Sequence, residues 1–410
     1  MEVGVINPPD VVVARPDNVP ADRVMDFDIY RALPEGADLH ETWRGLLKDA
    51  PHPVMWTPHN GGHWIALRSD VSDLVLMDSD RFSSHTVLVP KETAGEAYRL
   101  IPLSLDPPEH RPFRKLLNDN LSPKALAGME GRVTALTIEL IEGFRGRGRC
   151  EFIHDFAEQL PVRIFMQVVD LPVEDLPKLK HLADQFTRPD GSLTYAEVSD
   201  LFREYINPVI ARRRDAEGAD LISKLINGRV DGRALTDREA ADTCIQVLVG
   251  GLDTVVNAMA FTMAHLAQDD DLRRLLATDP SRIDDAVWEF LRRFPLVSSA
   301  REVRADIDFE GVRLKAGDMV MAPTAAPALD PSIEGDPMTV DIDRKKPRHS
   351  AFGKGTHTCP GAYVARVELK IMLREWLARI PEFRLASDTT VEHANGIVGT
   401  VKPFVLEWEA

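Results

Sequence analysis

A cysteine stands in a glycine-rich stretch directly before a strongly periodic helical segment. The stretch reads Phe352-Gly353-Lys354-Gly355-Thr356-His357-Thr358-Cys359-Pro360-Gly361. Its three glycines allow a tight turn whose backbone can approach a bound group closely. The helix N-terminus that follows carries partial positive charge and free N–H groups, which favour thiolate over thiol. Thiolate is the metal-binding form, so the pattern indicates Cys359 as a candidate metal ligand.

The residues of this loop also bear on three other kinds of site. Gly follows Gly353-Lys354 where a phosphate-binding loop requires Ser or Thr, which excludes that class. A zinc site could use His349, His357 and Cys359, but the sequence offers no fourth ligand and no Cys-x-x-Cys pair. A glycine-rich loop with an incidental buried cysteine stays open on these residues alone.

A second group of chemically suited residues lies in the long apolar segment Asp237–Ala267. Gly250 and Gly251 are followed there by Asp253 and Thr254. Each glycine inside a helix costs about 1 kcal/mol, so close approach to a ligand or to another helix is the expected reason for the pair. Packing through the two glycines, with Asp253 at a bend, is the alternative.

Two charged pairs have helical spacing. Glu289 and Arg292 are three residues apart and face the same way on a helix, as an ordinary surface ion pair also would. His110 and Arg114 are four apart on a predicted helix that begins with two prolines, Pro107 and Pro108. Cationic donors on one face suit carboxylates, although a solvated basic face would have the same spacing.

The full loop pattern Phe-Gly-x-Gly-x-His-x-Cys-x-Gly resembles the haem-binding loop of the cytochrome P450 family. The other motifs follow the family's order between residues 106 and 361. The resemblance implies that Cys359 is the axial ligand of the iron of haem b, in a loop with Phe352 and Gly353, and that O2 is the co-substrate. It implies that Thr254 hydrogen-bonds dioxygen and that Asp253 helps to deliver protons.

The remaining motifs receive structural and cofactor-binding roles from the same resemblance. Glu289 and Arg292 would form a buried pair beneath the haem. The haem propionates would be bound by four cationic or imidazole side chains, namely His110, Arg114, Arg301 and His357. Hydroxylation of a small apolar substrate is the implied reaction, which makes the chain a monooxygenase.

The positions of these residues require a mostly helical framework. Apolar spacing near three and four predicts helices over Asp70–Met77, Pro107–Asn118, Lys124–Phe144, Val173–Phe186, Tyr195–Arg214, Asp237–Ala267 and Gly361–Ile380. Short alternating runs predict strands at His63–Arg68, at Val303–Phe309 and at Met319–Met321. The fold class is therefore mainly α with a minor β portion, and no linker divides residues 1–410, which predicts one domain. The resemblance places the haem between the long distal helix and the proximal cysteine loop.

A resemblance to the bacterial camphor hydroxylase subfamily is carried by five segments, namely Gly95–Tyr98, Asp106–Glu109, Thr187–Gly191, Leu248–Asn257 and Asn395–Val398. In that subfamily the tyrosine that matches Tyr98 donates its hydroxyl to a substrate ketone. The expected pocket differs from the subfamily's, since leucines replace aromatic rings and a glutamine replaces a leucine. Its predicted lining is Tyr98, Leu88, Leu100, Leu103, Gln246, Val249, Gly250, Val297, Ile397 and Val398. One polar contact in an apolar pocket predicts a camphor- or ionone-like terpenoid or norisoprenoid ketone.

Composition limits the partners. The 49 basic and 65 acidic residues give a net charge of −16, a surface that repels nucleic acid and anionic membranes. Three scattered cysteines exclude a disulfide framework and fit a cytoplasmic setting. The first 30 residues lack the apolar core of a signal sequence. Cys244–Leu266 is about long enough to span a bilayer, but its polar residues favour a buried helix and hence no membrane partner.

The sequence contains no flavin- or nicotinamide-binding region, so electrons must come from another protein. The resemblance favours a [2Fe-2S] ferredoxin with its NAD(P)H-dependent flavoprotein reductase. Against the acidic background, a basic docking patch is predicted from Arg111, Arg114, Lys346 and Lys354. The alternatives are a peroxide-driven haem peroxygenase, which would normally lack the Asp253-Thr254 pair, and a non-catalytic haem-thiolate gas or redox sensor, which should carry a signalling region.

Overall fold

Helices dominate the architecture, as the sequence predicts. The computed structural model describes residues 11–31, 33–91, 99–333, 335–345 and 349–410. The helices within these ranges are α1 Leu39–Asp49, α2 Ser69–Met77, α3 His110–Leu121, α4 Met129–Arg145, α5 Gln159–Val169, α6 Leu176–Thr187, α7 Tyr195–Arg213, α8 Leu221–Ile226, α9 Asp237–Gly251, α10 Thr254–Leu266, α11 Asp270–Thr278, α12 Ile283–Arg293, α13 Ala325–Ala328 and α14 Ala362–Arg379.

The strands form one larger sheet and several small ones. They are β1 Val54–Thr57, β2 His63–Ala66, β3 Phe82–Ser83, β4 Arg149–Glu151, β5 Arg229–Val230, β6 Arg233–Ala234, β7 Ser298–Val303, β8 Ile307–Phe309, β9 Val312–Leu314, β10 Met319–Pro323, β11 Arg384–Leu385, β12 His393–Ala394, β13 Thr400–Val401 and β14 Val405–Glu407. The larger sheet has the order β1-β2-β10-β7-β3, in which only β2 and β10 run parallel to each other.

Side-chain caps set several helix starts. Thr194 and Glu197 form a capping box at α7, and Thr236 and Glu239 form another at α9. Each box satisfies two backbone N–H groups that a helix leaves unpaired in its first turn. Asp38 does the same for α1, where its carboxylate accepts from two backbone N–H groups.

The long helix differs from the prediction. A continuous helix was expected over Asp237–Ala267, whereas the structure ends α9 at Gly251 and begins α10 at Thr254. The backbone of Asp253 leaves helical geometry, with φ −129° and ψ −44°. The prediction of one unbroken helix was therefore wrong at the residues with the greatest chemical interest.

This α9–α10 stretch also explains the apolar run in the sequence. Over Asp237–Leu266 its best window has a mean hydropathy of 1.5, enough by length and composition to span a membrane, and 61% of that window is buried inside the molecule. Most of this apolar window is therefore covered by protein, as in the core helix of a globular fold.

The core around α14 is aromatic. The ring of Trp376 lies 5.3–6.1 Å from the rings of Phe144, Phe152, Phe156, Phe383 and Trp408, measured between centroids. Phe144 lies on α4, Phe152 and Phe156 lie at the helical turn after β4, and Phe383 and Trp408 lie next to β11 and β14. This cluster packs around the C-terminal half of α14, the helix that follows Cys359.

Arg292 organises the irregular segment that leads to the cysteine loop. It is fully buried beside Glu289, with Nε and Nη2 donating to that carboxylate at 2.9 and 2.6 Å. Its other N–H groups donate to the backbone oxygens of Ala328, Pro337 and Thr339. All five donors of the guanidinium are used, so the pair fixes the backbone path after α13.

Candidate active site

The cysteine loop turns tightly against α2. Gly353 and Gly355 both adopt φ +68°, a conformation that favours glycine. A Cβ on Gly355 would lie 3.0 Å from the Cα of Met77, so the loop could not approach α2 this closely with a side chain there. The N–H of Cys359 donates to the carbonyl of Phe352 at 2.8 Å, which closes the turn.

The thiol of Cys359 faces an internal cavity. Desolvation raises its pKa above the usual value, while the N–H groups of Gly361 and Ala362 and the guanidinium of Arg114 oppose this rise. The helix N-terminus alone therefore does not outweigh burial, contrary to the sequence expectation. A metal cation on the sulfur would favour the thiolate strongly, because a coordinating thiol loses its proton.

The cavity joins the loop to the break between α9 and α10. It has a volume of about 360 Å³ and is mainly apolar, with Cys359 on one wall and Gly250 and Thr254 on another. Predicted residues that line it are Leu103, Gln246, Gly250, Thr254, Val297, Arg301, Phe352, Gly353, Lys354, His357 and Cys359. The structure thus brings residues more than 100 positions apart to one space.

At one edge of the cavity, three nitrogen-bearing side chains converge, and none of them forms an ion pair within the described part of the chain. Arg301 is 3% exposed and, among the described residues, donates to Ser299 Oγ and to the carbonyl of Ala300, both at 2.8 Å. The Nε2 atoms of His110 and His357 are buried without a hydrogen-bond partner among the described residues, and the two rings lie 4.4 Å apart. Buried polar atoms in this state need a ligand to satisfy them.

Desolvation lowers the pKa of all three groups. The values are about 10 for Arg301, about 4 for His110 and about 3 for His357. Carboxylates bound here would compensate for this desolvation, since each would accept charge-assisted hydrogen bonds from these side chains. The two propionates of haem have this chemistry, and the apolar cavity with a thiol on one wall suits the remainder of the group. The residues present therefore fit haem.

Arg114 has a different setting from these three. It is half-buried, and its Nε donates to Asn118 Oδ1 at 2.9 Å on the same face of α3. Desolvation lowers its pKa, and Cys359 opposes that shift. Arg114 thus lies within electrostatic reach of the cysteine as well as near His110.

The opposite wall contains the two glycines. Gly250 is exposed toward the cavity, and a Cβ there would meet only Gln246 Nε2, at 3.8 Å. At Gly251 a Cβ would lie 2.6 Å from the ring of Phe165 on α5. Of the two explanations for the pair, ligand approach applies to Gly250 and packing applies to Gly251. Thr254 Oγ1 lies 3.4 Å from the carbonyl of Gly250, beside the same space.

Asp253 points away from the cavity into an ion-pair network. Arg188 donates to both carboxylate oxygens at 2.9 Å, and Lys180 Nζ lies 3.7 Å from Oδ1. Burial opposes ionisation of Asp253, but these cations and a hydrogen bond from Asn257 outweigh it and lower the pKa. The neighbouring Asp184 shares both cations, and burial together with the charge of Asp253 raises its pKa.

The other predicted pocket residues have varied positions. Leu88 and Leu100 are each 3% exposed and belong to the main core, and Val249, Ile397 and Val398 are also buried. None of these five is among the described residues that line the cavity. Tyr98 lies outside the described residues. The pocket assignments for these positions stay predictions.

The predicted docking residues are only partly described. Arg111 is exposed on α3, and Lys354 pairs with Asp73 of α2. Lys346 lies outside the described residues. Arg344, from the same basic run, contacts the buried Glu289. Among the described residues, no three His, Cys, Asp or Glu side chains lie close enough to bind a metal ion together, so the zinc alternative has no ligand set there.

Sequence reasoning missed several residues of the site. Arg188 and Lys180 precede Asp253 by more than 60 positions, and no local spacing connects them. Asn257 follows Asp253 by four positions, a helical spacing that could have indicated their contact. Glu368 is 2% exposed and lines the cavity from α14. Its position within the apolar stripe of that helix is the one feature of the sequence that could have indicated its burial.

Comparison with known proteins gives consistent matches. The sequence model of the family described as Cytochrome P450 matches residues 162–279 and 282–403. A protein named probable cytochrome P450 127A1, from Sinorhizobium fredii (strain NBRC 101917 / NGR234), is 33% identical over 403 residues, which are 96% of each chain. The crystal structure of CYP101J2 superimposes with a TM-score of 0.91 at 66% identity, over 97% of this chain and 100% of that one. That of CYP101C1 gives a TM-score of 0.88 at 40% identity, with the same coverage.

Proposed function

The chain belongs to the cytochrome P450 family and is a haem b-dependent monooxygenase, and on this premise we propose that it hydroxylates a small apolar ketone with Cys359 as the iron ligand. One observation supports the proposal most directly. A single cavity has the thiol of Cys359 on one wall and the Gly250–Thr254 segment on another. The unpartnered nitrogens of His110 and His357, next to Arg301, would bind the propionates.

Haem supplies the oxygen chemistry, in which R–H, O2, two electrons and two protons give R–OH and water. The chain's residues provide binding, orientation and protons. The hydroxyl of Thr254 lies at the cavity and would hydrogen-bond dioxygen and hold water for protonation. Asp253 would relay protons toward it from the ion-pair network with Arg188. The buried apolar walls exclude bulk water from the reacting atoms.

The substrate class follows from the walls of the cavity. Leu103, Val297 and Leu296 give it an apolar surface, and Gln246 adds one carboxamide. We propose a camphor- or ionone-like terpenoid or norisoprenoid ketone, with Tyr98 as the hydrogen-bond donor to the carbonyl. Leu88, Leu100, Val249, Ile397 and Val398 would shape the pocket around it.

The electrons are proposed to come from an acidic [2Fe-2S] ferredoxin, which its NAD(P)H-dependent reductase would reduce. Arg111, Arg114, Lys346 and Lys354 would form the docking patch, and the exposure of Arg111 supports this. A cytoplasmic location and a single domain over residues 1–410 complete the proposal.

Cys359→Ala tests the ligand. The variant should lose the thiolate-type absorption spectrum of the reduced, CO-treated protein and all O2-dependent hydroxylation. Cys150→Ala is the matched control, because Cys150 is a buried cysteine of β4 that does not line the cavity. An unchanged spectrum in Cys359→Ala would contradict the assignment. Product formation from peroxide alone, at the rate found with ferredoxin and O2, would favour the peroxygenase alternative.

Tyr98→Phe tests the substrate class. The change should weaken ketone binding by about 0.5–1.5 kcal/mol, the net value of a neutral hydrogen bond, and leave the matching hydrocarbon unaffected. The spin-state change on titration measures both affinities. Equal losses for ketone and hydrocarbon would show that Tyr98 shapes the pocket without donating to the substrate.

A further inference from the structure

Asn257 lies between Asp253 and the C-terminal hairpin. It is 2% exposed on the first turn of α10. Its Nδ2 donates to Asp253 Oδ1 at 3.0 Å and lies 3.1 Å from the backbone oxygen of Asp253. On the other side of the amide, Oδ1 accepts a hydrogen bond from the hydroxyl of Thr400 on β13. The amide thus joins a carboxylate on one helix to a strand 143 residues away.

The partners decide which way the amide points. Both atoms of Asp253 next to Asn257 are acceptors, so only the NH2 end can face them. The Thr400 hydroxyl is the group that satisfies the opposite, carbonyl end. Without that hydroxyl, Oδ1 would have no donor among the described residues, and the cost of this buried acceptor would weaken the hold on the position from which Nδ2 donates to Asp253.

The hairpin makes a second connection to the same carboxylate. Arg188 Nη1 donates to Asp253 Oδ2 and, at 3.1 Å, to the carbonyl of Val398. The hairpin itself is held against the strand that borders the cavity, since the N–H of Ser298 donates to the carbonyl of Ile397. Two of the side chains that hold Asp253 therefore contact the hairpin, Arg188 at its turn and Asn257 at β13.

We propose that Thr400 is a positioning residue, which orients the Asn257 amide so that it donates to Asp253 and ties that carboxylate to the β12–β13 hairpin. The effect of Thr400 on the reaction rests on the proposed proton-relay role of Asp253. The effect of Thr400 on the ionisation of Asp253 does not depend on that role and is measured separately.

The charged groups around Asp253 are known from the structure. Lys180 lies on α6 and Arg188 directly follows that helix. Asp184, also on α6, forms ion pairs with both of these cations. Glu158 lies 3.9 Å from Lys180. Thr400→Val leaves all of these in place and is nearly isosteric, so a change in the titration of Asp253 reports the loss of the hydroxyl.

The experiment is a pH titration of the haem-loaded protein by difference infrared spectroscopy. The band of the protonated Asp253 carboxyl is identified by its absence in Asp253→Asn. In Thr400→Val the band should appear at a pH about one unit higher than in the parent, because Asp253 loses a donor to its ionised form. Thr400→Ser keeps a hydroxyl and should restore the parent titration. Thr137→Val removes a buried hydroxyl that bonds only within α4 and should change nothing.

Product formed per NAD(P)H consumed gives the second readout. Thr400→Val should lower it several-fold, and Thr400→Ser should recover it. The proposal is overturned if Thr400→Val titrates like the parent, or if the serine variant shifts as far as the valine variant. Thr400→Ala replaces the valine variant if the latter does not load haem. An unchanged product ratio in Asp253→Asn would contradict the relay role alone, and the infrared titration would still decide the proposal for Thr400.

Discussion

Arg188 and Asp253 form a buried two-point ion pair: each Nη atom of the guanidinium lies 2.9 Å from one carboxylate oxygen, across 65 residues of chain. The carboxylate is 3% exposed and the guanidinium side chain 18%. In this setting the charge of Asp253 depends on its partner, because an isolated buried carboxylate would be costly.

Replacing Arg188 with Met should destabilise the protein by about 3–5 kcal/mol at pH 7, because the buried Asp253 carboxylate then keeps, among the described residues, only the more distant Lys180 Nζ at 3.7 Å as a cationic partner. Urea unfolding of the haem-loaded protein measures the loss. The pKa of Asp253 lies below its unfolded value, so the stabilisation is fully present above about pH 4 and is lost as pH falls through the folded pKa. The difference between parent and variant should shrink in that acid range. A difference that stays constant with pH would contradict the role of the pair.

Replacing Thr254 with Ala should leave haem content and substrate affinity nearly intact and divert electrons to hydrogen peroxide. The reason is that its hydroxyl faces the cavity beside the carbonyl of Gly250, where it can bind dioxygen and water. Product and peroxide formed per NAD(P)H consumed are the measurements, with Thr254→Ser as the control that keeps the hydroxyl. An unchanged product ratio in the alanine variant would assign Thr254 to packing.

Glu368 should be uncharged in the folded protein at pH 7. It lines the cavity without a hydrogen-bond or ion-pair partner among the described residues, and desolvation raises its pKa to about 8. Its contribution to stability is fully present below about pH 4.3 and is lost as pH rises through about 8. Glu368→Gln should therefore be more stable than the parent at pH 7, by on the order of 3 kcal/mol, with little change at pH 4. Chemical unfolding at the two pH values checks this, and equal effects at both would contradict it.

Reversing the charge of Arg111 should slow reduction by ferredoxin. Arg111 is exposed on α3, whose His110 and Arg114 lie toward the cysteine side of the cavity. Weak electrostatic docking predicts a fall on the order of tenfold at low salt for Arg111→Glu, and a steep salt dependence for the parent. Stopped-flow reduction measures both, with Arg384→Glu as an exposed control on the small sheet of β11. Rates that respond equally to both variants would place the docking site elsewhere.

The sequence predicted the parts of the site that depend on local spacing. The order Phe352, Gly353, His357 and Cys359 indicated the loop, and the structure indeed has that turn against the start of α14. Helix bounds were within a few residues where apolar periodicity was strong, as for Tyr195–Arg213. Helix α5 was not predicted, although Phe165 on it determines why Gly251 must be a glycine.

What could not be predicted depends on contacts between distant segments. No pattern in the sequence connects Arg188 to Asp253 or Thr400 to Asn257, since charge and hydroxyl groups are common and their partners are chosen by the fold. The break between α9 and α10, which the sequence offered only as the alternative of a bend at Asp253, could not be decided from it, because two glycines and an aspartate in an apolar run are compatible with either a bent or a continuous helix. The net rise in the pKa of Cys359 comes from desolvation by the surrounding fold, which a motif does not contain.

The pairing of Glu289 with Arg292 has a consequence for how freely the chain can vary. Arg292 donates to the main-chain oxygens of Ala328, Pro337 and Thr339, and Glu289 accepts from the main-chain N–H of Asp341. These hydrogen bonds are made to main-chain atoms, so they depend on the path of the backbone and do not depend on the side chains of the residues that supply those atoms. Substitutions at the exposed positions between residues 328 and 341 should be tolerated as long as the course is kept, whereas the buried Ala328 and Leu329 are also constrained by packing. Lys at position 292, with three donors in place of five, cannot reproduce the set. A chimera in which this segment is exchanged with that of a relative should fold if the relative also has a glutamate and an arginine at the positions that match Glu289 and Arg292.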